Sequence, residues 1–217
     1  GERKFKSASE ASRSAPEGCR TATSHAYEFA ITSTQRQYLQ SMGTLMTKRL
    51  RTETDLVNLP DDSYRHELVA GVIVAEPLPR HRHDRTRRRL ERLLETFVEA
   101  QGLGEVFGEA GYVLARDPDT VRGPDLSFVA RLRLRDFDDA RFFSGAPDLA
   151  VEILSPSNRR GEMHAKVADY LAAGARLVWV VDAERKTVTT YTALLTPVRI
   201  ESPAILDGGD VLPGLAI

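Results

Sequence analysis

The chain has 217 residues, of which 41% are hydrophobic, so it can bury a sizeable core in one medium-sized domain. Its 30 basic and 31 acidic residues give a net charge of −1, which excludes the strong overall positive field of a non-specific nucleic-acid binder. The single cysteine excludes an intrachain disulfide and a cysteine-based zinc cluster. Short hydrophobic runs and the absence of a signal-peptide core predict a cytoplasmic protein without a membrane segment.

The first 45 residues differ in composition from the rest of the chain. They are rich in Ser, Thr, Ala, Arg and Glu and show little hydrophobic periodicity. Such a segment cannot bury enough apolar surface to offset the entropy lost on ordering. We therefore predict a disordered arm over residues 1–45 and a folded domain over residues 46–217. Since Met42 and Met46 precede a more protein-like sequence, a natural start at one of them is a further hypothesis.

Regular hydrophobic patterns begin near Tyr64. The stretch "HELVAGVIVAE" predicts two short strands around Gly71, and "PLPRHRH" predicts a loop. A helix is then expected to begin at Asp84 and to end at Gly102. Its apolar positions follow helical spacing: Leu90, Leu93, Leu94, Phe97 and Val98.

The second half alternates strands with one more helix. "EVFGEAGYVLA" and "RGPDLSFVA" predict two successive strands joined by a turn at "RDPDT", and "APDLAVEIL" predicts another strand. "NRRGEMHAKVADYLAAG" predicts a helix that ends at Gly174. "ARLVWVV" and "TVTTYTA" predict a hairpin, and "VRIESPAIL" an edge strand. This order of elements predicts an α/β sandwich with a central mixed sheet flanked by helices.

Two acidic residues stand out because they fall in strongly apolar strands. Alternation along "PDLSFV" places Asp125 on the face away from Leu126, and the same rule places Glu152 away from Val151. If the two strands are neighbours, the carboxylates of Asp125 and Glu152 come close together. Two carboxylates in one desolvated site require a proton or a divalent cation such as Mg²⁺ between them.

Structural explanations also exist for these residues. An aspartate after proline often caps a turn, and a glutamate in a strand can face solvent on a half-exposed sheet. Asp148, in "GAPD", is interpreted as a turn residue or the residue that begins a strand. His164, Tyr170 and Trp179 are interpreted as packing residues.

The order of these features resembles a known group of enzymes. The chain resembles the PD-(D/E)XK nuclease superfamily in having Pro-Asp, a spacer, Glu in a following apolar strand and then a helix with Lys. The longer set "YRHELVAGVIV", "PRHRHDRTRRRLERLLE", "VFGEAGYVLARDPDTVRGPDLSFV" and "GAPDLAVEILSPSNRRGEMHAKVADYLAAGARLVWVVD" resembles the Uma-two family of putative restriction endonucleases. The resemblance spans roughly Tyr64 to Tyr191. It implies a restriction-endonuclease-like fold, hydrolysis of DNA with Mg²⁺ or its substitute Mn²⁺, and a homodimer.

The resemblance also assigns roles to individual residues. Glu67 matches the family's first acidic position, Asp125 the Pro-Asp position and Glu152 the second acid, and together they are the implied metal ligands. The simplest motif has its lysine two residues after the glutamate, where this chain has Leu154. The resemblance therefore points to Lys166, on the following helix, as a migrated catalytic lysine.

Lys166 has an alternative explanation that needs no catalysis. Glu162 lies four residues before it, in the order that favours an ion pair on a helix surface, and such a pair contributes only about 0.2–0.5 kcal/mol. For the metal site, by contrast, we predict that Glu67, Asp125, Glu152 and Lys166 converge around one cavity on the sheet.

The stretch "RHRHDRTRRRLER" has seven arginines and two acids. It can bind phosphates of DNA, and the candidate residues for this contact are His83, Arg85 and Arg88. It can equally be the solvated face of an amphipathic helix. His83 matches a histidine that the family places before this helix, where a metal or phosphate contact and a loop or capping role are both open.

Three functions therefore compete at this stage. The first is a Mg²⁺-dependent endonuclease acting on DNA. The second is a catalytically silent module of the same fold that binds nucleic acid or supports assembly. The third is a metal-dependent hydrolase of small phosphate esters. The presence of all four candidate residues favours the first.

Overall fold

The structure is a computed structural model that describes residues 49–217, except 63, 77–79, 136–137, 139–140 and 156–159. The part from Arg49 to Ile217 forms one compact unit. The arm predicted over residues 1–45, and the start predicted at Met42 or Met46, lie outside the described residues. In the described part of the chain, no helix combines the length and the apolar character needed to cross a membrane.

Three α-helices lie in the described ranges: α1 (Glu53–Val57), α2 (His81–Gln101) and α3 (Arg160–Ala172). Helix α2 ends as expected at Gly102, which has a left-handed backbone with φ of 61°. It begins three residues before the expected Asp84, so that residue lies in the first turn, where a negative charge favours the helix dipole. His83 is therefore a helical residue, and neither a loop nor a capping residue.

The strands of the described residues number eleven, with one short 3-10 turn at Arg131–Arg133. They are β1 (Arg65–Val69), β2 (Val72–Glu76), β3 (Gly104–Gly108), β4 (Tyr112–Ala115), β5 (Thr120–Arg122), β6 (Leu126–Ala130), β7 (Phe143–Ser144), β8 (Leu149–Ile153), β9 (Leu177–Asp182), β10 (Thr187–Tyr191) and β11 (Val198–Glu201).

These strands form two sheets. A five-stranded sheet has the order β2-β1-β5-β4-β7, and a six-stranded sheet has the order β11-β10-β9-β8-β6-β3. Each contains one parallel pair, β4 with β7 and β8 with β9, whereas the other pairs are antiparallel. The α/β class and the mixed pairing are confirmed, and the strands divide between two sheets where one central sheet was expected.

The division arises because the chain leaves one sheet for the other at two places. "EVFGEAGYVLA" becomes β3 and β4, with Glu109 at a φ of 55° between them. In "RGPDLSFVA", Arg122 is the end of β5, which begins at Thr120 of the predicted turn, and β6 begins only at Leu126. Pro124 has no N–H to donate to a sheet ladder, so the strand cannot continue through it. The chain crosses between the sheets at residues 109–111 and 123–125. Asp125 consequently stands just before β6, at a crossing point, and not in a strand interior.

The faces of the six-stranded sheet follow the predicted alternation. One face packs against Leu94 and Val98 of α2, and the other packs against Val167 and Tyr170 of α3. The first face presents Leu126, Phe128, Leu149, Val151 and Ile153. Glu152 belongs to the second face, as alternation required, and so points to the side of α3.

The remaining sequence predictions have mixed outcomes. The β9–β10 hairpin and the β11 edge strand are confirmed. Trp179 is a packing residue of the main core, but His164 is exposed, so its assignment to packing was wrong. Asp148 directly precedes β8 and accepts hydrogen bonds from Ala130 N at 2.9 Å and Arg133 Nη1 at 3.1 Å, which confirms its structural interpretation.

Candidate functional site

The pairing of β6 with β8 brings the two acids of the motif together. Leu126 lies opposite Val151, so extending this antiparallel register by one residue places Asp125 opposite Glu152. The Ile153 backbone N–H donates a hydrogen bond of 2.7 Å to Asp125 Oδ2, which fixes that carboxylate at the end of the sheet. Both side chains are almost completely buried, so the sheet holds two carboxylates side by side away from water.

Glu67 reaches the same place from the five-stranded sheet. Its Oε1 accepts a hydrogen bond from Lys166 Nζ at 3.0 Å and one from the Gly123 N–H at 3.2 Å. Its Oε2 accepts a hydrogen bond from Arg122 Nη1 at 2.9 Å. Both carboxylate oxygens of Glu67 are thus bound by groups of the protein, from a strand, a crossing segment and a helix.

Lys166 connects the acids across the two sheets. Its Nζ lies 3.0 Å from Glu67 Oε1, 3.1 Å from Glu76 Oε1 and 3.7 Å from Glu152 Oε2. The lysine is buried, whereas Glu162 is exposed. The surface-pair explanation for Lys166 is therefore wrong, because its ammonium points into the acid cluster, which we define as Glu67, Glu76, Asp125, Glu152 and Lys166.

His83 also reaches the acid cluster. Its Nε2 lies 3.1 Å from Asp125 Oδ2, and its Nδ1 is buried without a hydrogen-bond partner in the described ranges. Arg85 and Arg88 are exposed on the same helix, and Arg88 Nη2 lies 2.9 Å from Asp84 Oδ2. Of the three predicted nucleic-acid contacts, the structure thus brings only His83 to the acids within its described residues.

Burial and neighbouring charge act on the acids in opposite directions. Burial raises the pKa of Glu152 to about 7; Lys166 opposes this rise, and the negative charges of Asp125 and Glu67 add to it. Burial also acts to raise the pKa of Asp125, but the hydrogen bond and charge of His83, the Ile153 N–H and the charge of Arg65 together outweigh burial and lower that pKa. The site therefore keeps one carboxylate ionised and opposes ionisation of its neighbour.

Glu67 and Lys166 form an ion pair whose charges support each other. Burial acts to raise the pKa of Glu67, but the charges and hydrogen bonds of Lys166 and Arg122 together outweigh it and lower that pKa. Burial acts to lower the pKa of Lys166, but the charges of Glu152, Glu67 and Glu76 outweigh it and raise that pKa. Lys166 is consequently a fixed cation and not a proton acceptor at neutral pH.

Sequence reasoning missed four residues of this site. Tyr170 had been assigned to packing alone, yet its hydroxyl donates a hydrogen bond of 2.8 Å to Glu152 Oε1. Arg122, Glu76 and Arg65 had no assigned role, and Arg65 Nη1 lies 3.6 Å from Asp125 Oδ1.

Short-range patterns in the sequence could have found three of the missed residues, two by periodicity and one by the register of a hairpin. Tyr170 is four residues after Lys166, on the same face of α3, and Arg65 is two residues before Glu67, on the same face of β1. The hairpin around Gly71 places Glu76 opposite Arg65. Arg122 gave no such signal, because only the chain crossing after β5 directs it toward Glu67.

The oxygen atoms of the cluster decide whether a cation fits. Asp125 Oδ1 and Glu152 Oε2 accept no hydrogen bond from any described residue; each faces a cation instead, Arg65 at 3.6 Å and Lys166 at 3.7 Å. In the described ranges no three His, Cys, Asp or Glu side chains form a set ready to enclose a metal ion. Two carboxylate oxygens and water suit Mg²⁺, which keeps several waters and uses one or two carboxylates, so the residues fit that ion.

The acid cluster does not line a groove that is found elsewhere among the described residues. A groove of about 1310 Å³ is lined by α1, the start of β1 and residues around Phe142, and includes Tyr64 and His66. Because β1 alternates, His66 points away from the face of Glu67. The four predicted residues converge as expected, but around one another and not around this groove.

A family match extends over most of the chain, including all four predicted residues. The sequence model of the Uma2 family, described as "Putative restriction endonuclease", matches residues 54–217. The chain belongs to the Uma2 family. This confirms the resemblance drawn from the motifs, and it places this Uma2 chain among nucleases in general.

A solved structure has the same fold as this Uma2 chain. It is described as a putative nuclease belonging to DUF820 from Anabaena variabilis ATCC 29413, with a TM-score of 0.68 and 22% sequence identity. The match covers 76% of this chain and 93% of that one. No protein of curated function matches the chain significantly. The structural likeness supports the restriction-endonuclease-like fold, and the chemistry must be argued from the side chains.

Proposed function

We propose that this protein is an endonuclease that hydrolyses phosphodiester bonds of DNA with a divalent cation, Mg²⁺ or Mn²⁺. The observation that carries the proposal is the position of Asp125 opposite Glu152, with Lys166 Nζ 3.7 Å from Glu152. Each of the two carboxylates has one oxygen that accepts no hydrogen bond within the described residues. A buried pair of this kind is costly for folding alone, so it favours a functional role.

Asp125 and Glu152 are the proposed metal ligands. Each is held through its other oxygen: the Ile153 N–H donates to Asp125 Oδ2, which also lies 3.1 Å from His83 Nε2, and the Tyr170 hydroxyl donates to Glu152 Oε1. A divalent cation bound there lowers the pKa of a coordinated water and polarises the phosphate. Asp125 Oδ1 and Glu152 Oε2, which accept no hydrogen bond from a described residue, would be the oxygens that hold such a cation.

Lys166 is the proposed catalytic cation. Its ammonium stays protonated, so it can orient a nucleophilic water or neutralise charge that develops on the phosphate oxygens. Glu67 was predicted to be a metal ligand as well as a catalytic residue. Since both of its oxygens are bound by Lys166, Gly123 and Arg122, we propose instead that it positions the lysine.

DNA contacts of the helical residues form part of the same proposal. His83 links α2 to the carboxylate of Asp125, and Arg85 and Arg88 lie exposed further along this helix. Arginines at such positions can bind successive backbone phosphates. A homodimer, in which two sites cut the two strands, remains a prediction; light scattering on the purified full chain measures it.

The decisive experiment is a cleavage assay on supercoiled plasmid and on single-stranded DNA with Mg²⁺ or Mn²⁺. The parent protein should nick or cut DNA, and Asp125→Asn should not. Asp210→Asn makes the same chemical change at an exposed acid and should cut like the parent. Oligonucleotide binding without cleavage in any metal would favour the catalytically silent module. Hydrolysis of bis(p-nitrophenyl) phosphate without action on DNA would favour a hydrolase of small esters.

A further inference from the structure

Arg65 is a cation of the site that has no assigned role. It precedes Glu67 by two residues on β1, so both side chains lie on the same face of the strand. Its Nη1 lies 3.6 Å from Asp125 Oδ1 and 3.8 Å from Glu109 Oε1. These are ion-pair distances that exceed hydrogen-bond length. The guanidinium thus faces the proposed metal ligand without being hydrogen-bonded to it.

The other two strong cations of the site are buried in ion pairs. Arg122 donates hydrogen bonds to Asp169 Oδ2 from Nε at 3.0 Å and from Nη2 at 2.6 Å, and to Glu67 from Nη1. Lys166 Nζ lies within 3.1 Å of both Glu67 and Glu76. Both side chains have little contact with solvent, 7% and 5% exposed respectively. Each of these cations is therefore held by at least two carboxylates inside the protein and has little surface open to an incoming ligand.

Arg65 differs from them in both respects. Its side chain is 28% exposed, compared with 5% for Asp125, so it lies where the buried acids meet solvent. An arginine has five N–H donors in a planar fork, and no hydrogen bond from this guanidinium is found among the described residues. Planar forks of this kind bind two oxygens of one phosphate group. The geometry therefore provides both the access and the donors for a phosphate.

We infer that Arg65 binds a phosphate group of the polynucleotide substrate next to the bond that is cut. This inference rests on the proposed function, because it places a substrate at the Asp125 and Glu152 carboxylates. Without substrate, the negative charges of Asp125 and Glu109 hold the guanidinium at the rim. A phosphate that arrives beside Asp125 replaces them as its partner and gains two charge-assisted hydrogen bonds.

The test compares Arg65→Gln, Arg65→Lys and Arg199→Gln in the full chain. Arg199 is an arginine of similar chemistry on β11, the opposite edge of the sheet from β3, and its side chain is 55% exposed. Fluorescence anisotropy with a labelled DNA duplex in EDTA measures binding without cleavage. Arg65→Gln should bind about 10- to 100-fold more weakly than the parent, as expected for loss of hydrogen bonds to a charged group. Arg65→Lys should fall between them, and Arg199→Gln should match the parent.

Mn²⁺ affinity, measured by calorimetry, separates substrate binding from a structural role. Removing a positive charge 3.6 Å from Asp125 should leave Mn²⁺ affinity unchanged or raise it. If Arg65 merely positioned Asp125, Arg65→Gln would weaken Mn²⁺ binding while leaving DNA affinity at the parent value. That result would overturn the inference, as would a parent protein that binds no duplex.

The inference and the proposed function can fail separately. A parent that binds DNA through Arg65 but neither binds Mn²⁺ nor cuts would contradict the endonuclease and retain the phosphate contact. If the parent cuts DNA and Arg65→Gln has the same KM, kcat and duplex affinity, the endonuclease proposal stands and the phosphate contact of Arg65 is contradicted. Circular dichroism establishes that each variant is folded, and Arg65→Lys, which keeps the charge and stem, provides the comparison if Arg65→Gln does not fold.

Discussion

The acid cluster and the exposed surface of α2 both contain acids paired with bases, but in opposite environments. Lys166 and Glu67 lie 3.0 Å apart with side chains 5% and 1% exposed. Arg88 and Asp84 lie 2.9 Å apart, with 68% and 36% exposed. Water screens the second pair, so it contributes little, whereas removal of one partner of the first leaves a charge imbalance in the protein interior.

The difference teaches where to look for function in this molecule. A buried ion cluster is often no more stabilising than apolar residues of similar volume, because its charges lose their hydration. The negative charge of Asp125, which adds to the rise in the pKa of Glu152, is a further cost. Folding alone does not account for such a cluster, whereas a cation and a phosphate bound at it would. The charged residues on the exposed face of α2 remain hydrated, so their presence there requires no functional role.

The largest expected effect is that of Asp125→Asn. Asparagine keeps an oxygen for the Ile153 N–H but loses the charge that attracts a cation. Mn²⁺ binding and DNA cleavage should both fall below detection, as measured by calorimetry and plasmid nicking. A variant that still bound Mn²⁺ with parental affinity would remove Asp125 from the ligand set.

Lys166→Met should separate the lysine from the metal ligands. Loss of one preorganised charge-stabilising donor should reduce the single-turnover cleavage rate about 10²- to 10³-fold, with Mn²⁺ affinity nearly intact. The variant should also lose about 3–5 kcal/mol of unfolding free energy in urea, because the buried Glu152 and the partly buried Glu76 lose the cation between them and Glu67 keeps only Arg122. Lys186→Met, at an exposed lysine, is the control. Parental cleavage by Lys166→Met would refute the catalytic role.

Titration of Glu152 should appear in the pH dependence of stability. Its pKa is about 7 in the folded protein and 4.5 as the reference for the unfolded chain. The folded state therefore holds this proton more tightly, and its contribution to stability is full below pH 4.5 and lost as pH rises to about 7.

Glu152→Gln isolates this contribution because it cannot titrate. Between pH 4.5 and 7, the parent's unfolding free energy should fall by roughly 3 kcal/mol relative to that of the variant, as urea unfolding at several pH values would measure. Glu201→Gln, on the exposed end of β11, should show no such difference. A flat difference between parent and Glu152→Gln would mean that Glu152 ionises as an ordinary glutamate.

The smallest expected effect lies on α2. Arg88→Gln removes the i,i+4 pair with Asp84 and should cost only about 0.2–0.5 kcal/mol of unfolding free energy. The effect should shrink further in 1 M NaCl, because salt screens exposed charges. Urea unfolding at low and high salt measures both. If Arg88→Gln lost as much unfolding free energy as Lys166→Met, the proposed energetic difference between α2 and the acid cluster would be wrong.

Patterns within single elements were predictable from the sequence. The 3.6-residue spacing defined α2 and its end at Gly102, and the two-residue alternation placed Glu152 on the face opposite Val151. The start of α2 was missed by three residues because Arg80, the residue before it, provides no side-chain cap to mark it. Motif order was enough to indicate the nuclease family.

The sequence by itself determined the residue types at the site, since Glu67, Asp125, Glu152 and Lys166 stand in recognisable order. Only the tertiary structure decided their partners. Glu67 and Lys166 are 99 positions apart and belong to a strand of one sheet and a helix packed on the other. No local periodicity relates such positions, because their separation depends on where the chain crosses between sheets. That packing also decides how exposed each charged side chain is: Lys166 and Glu67 are buried, whereas Arg65 is partly accessible.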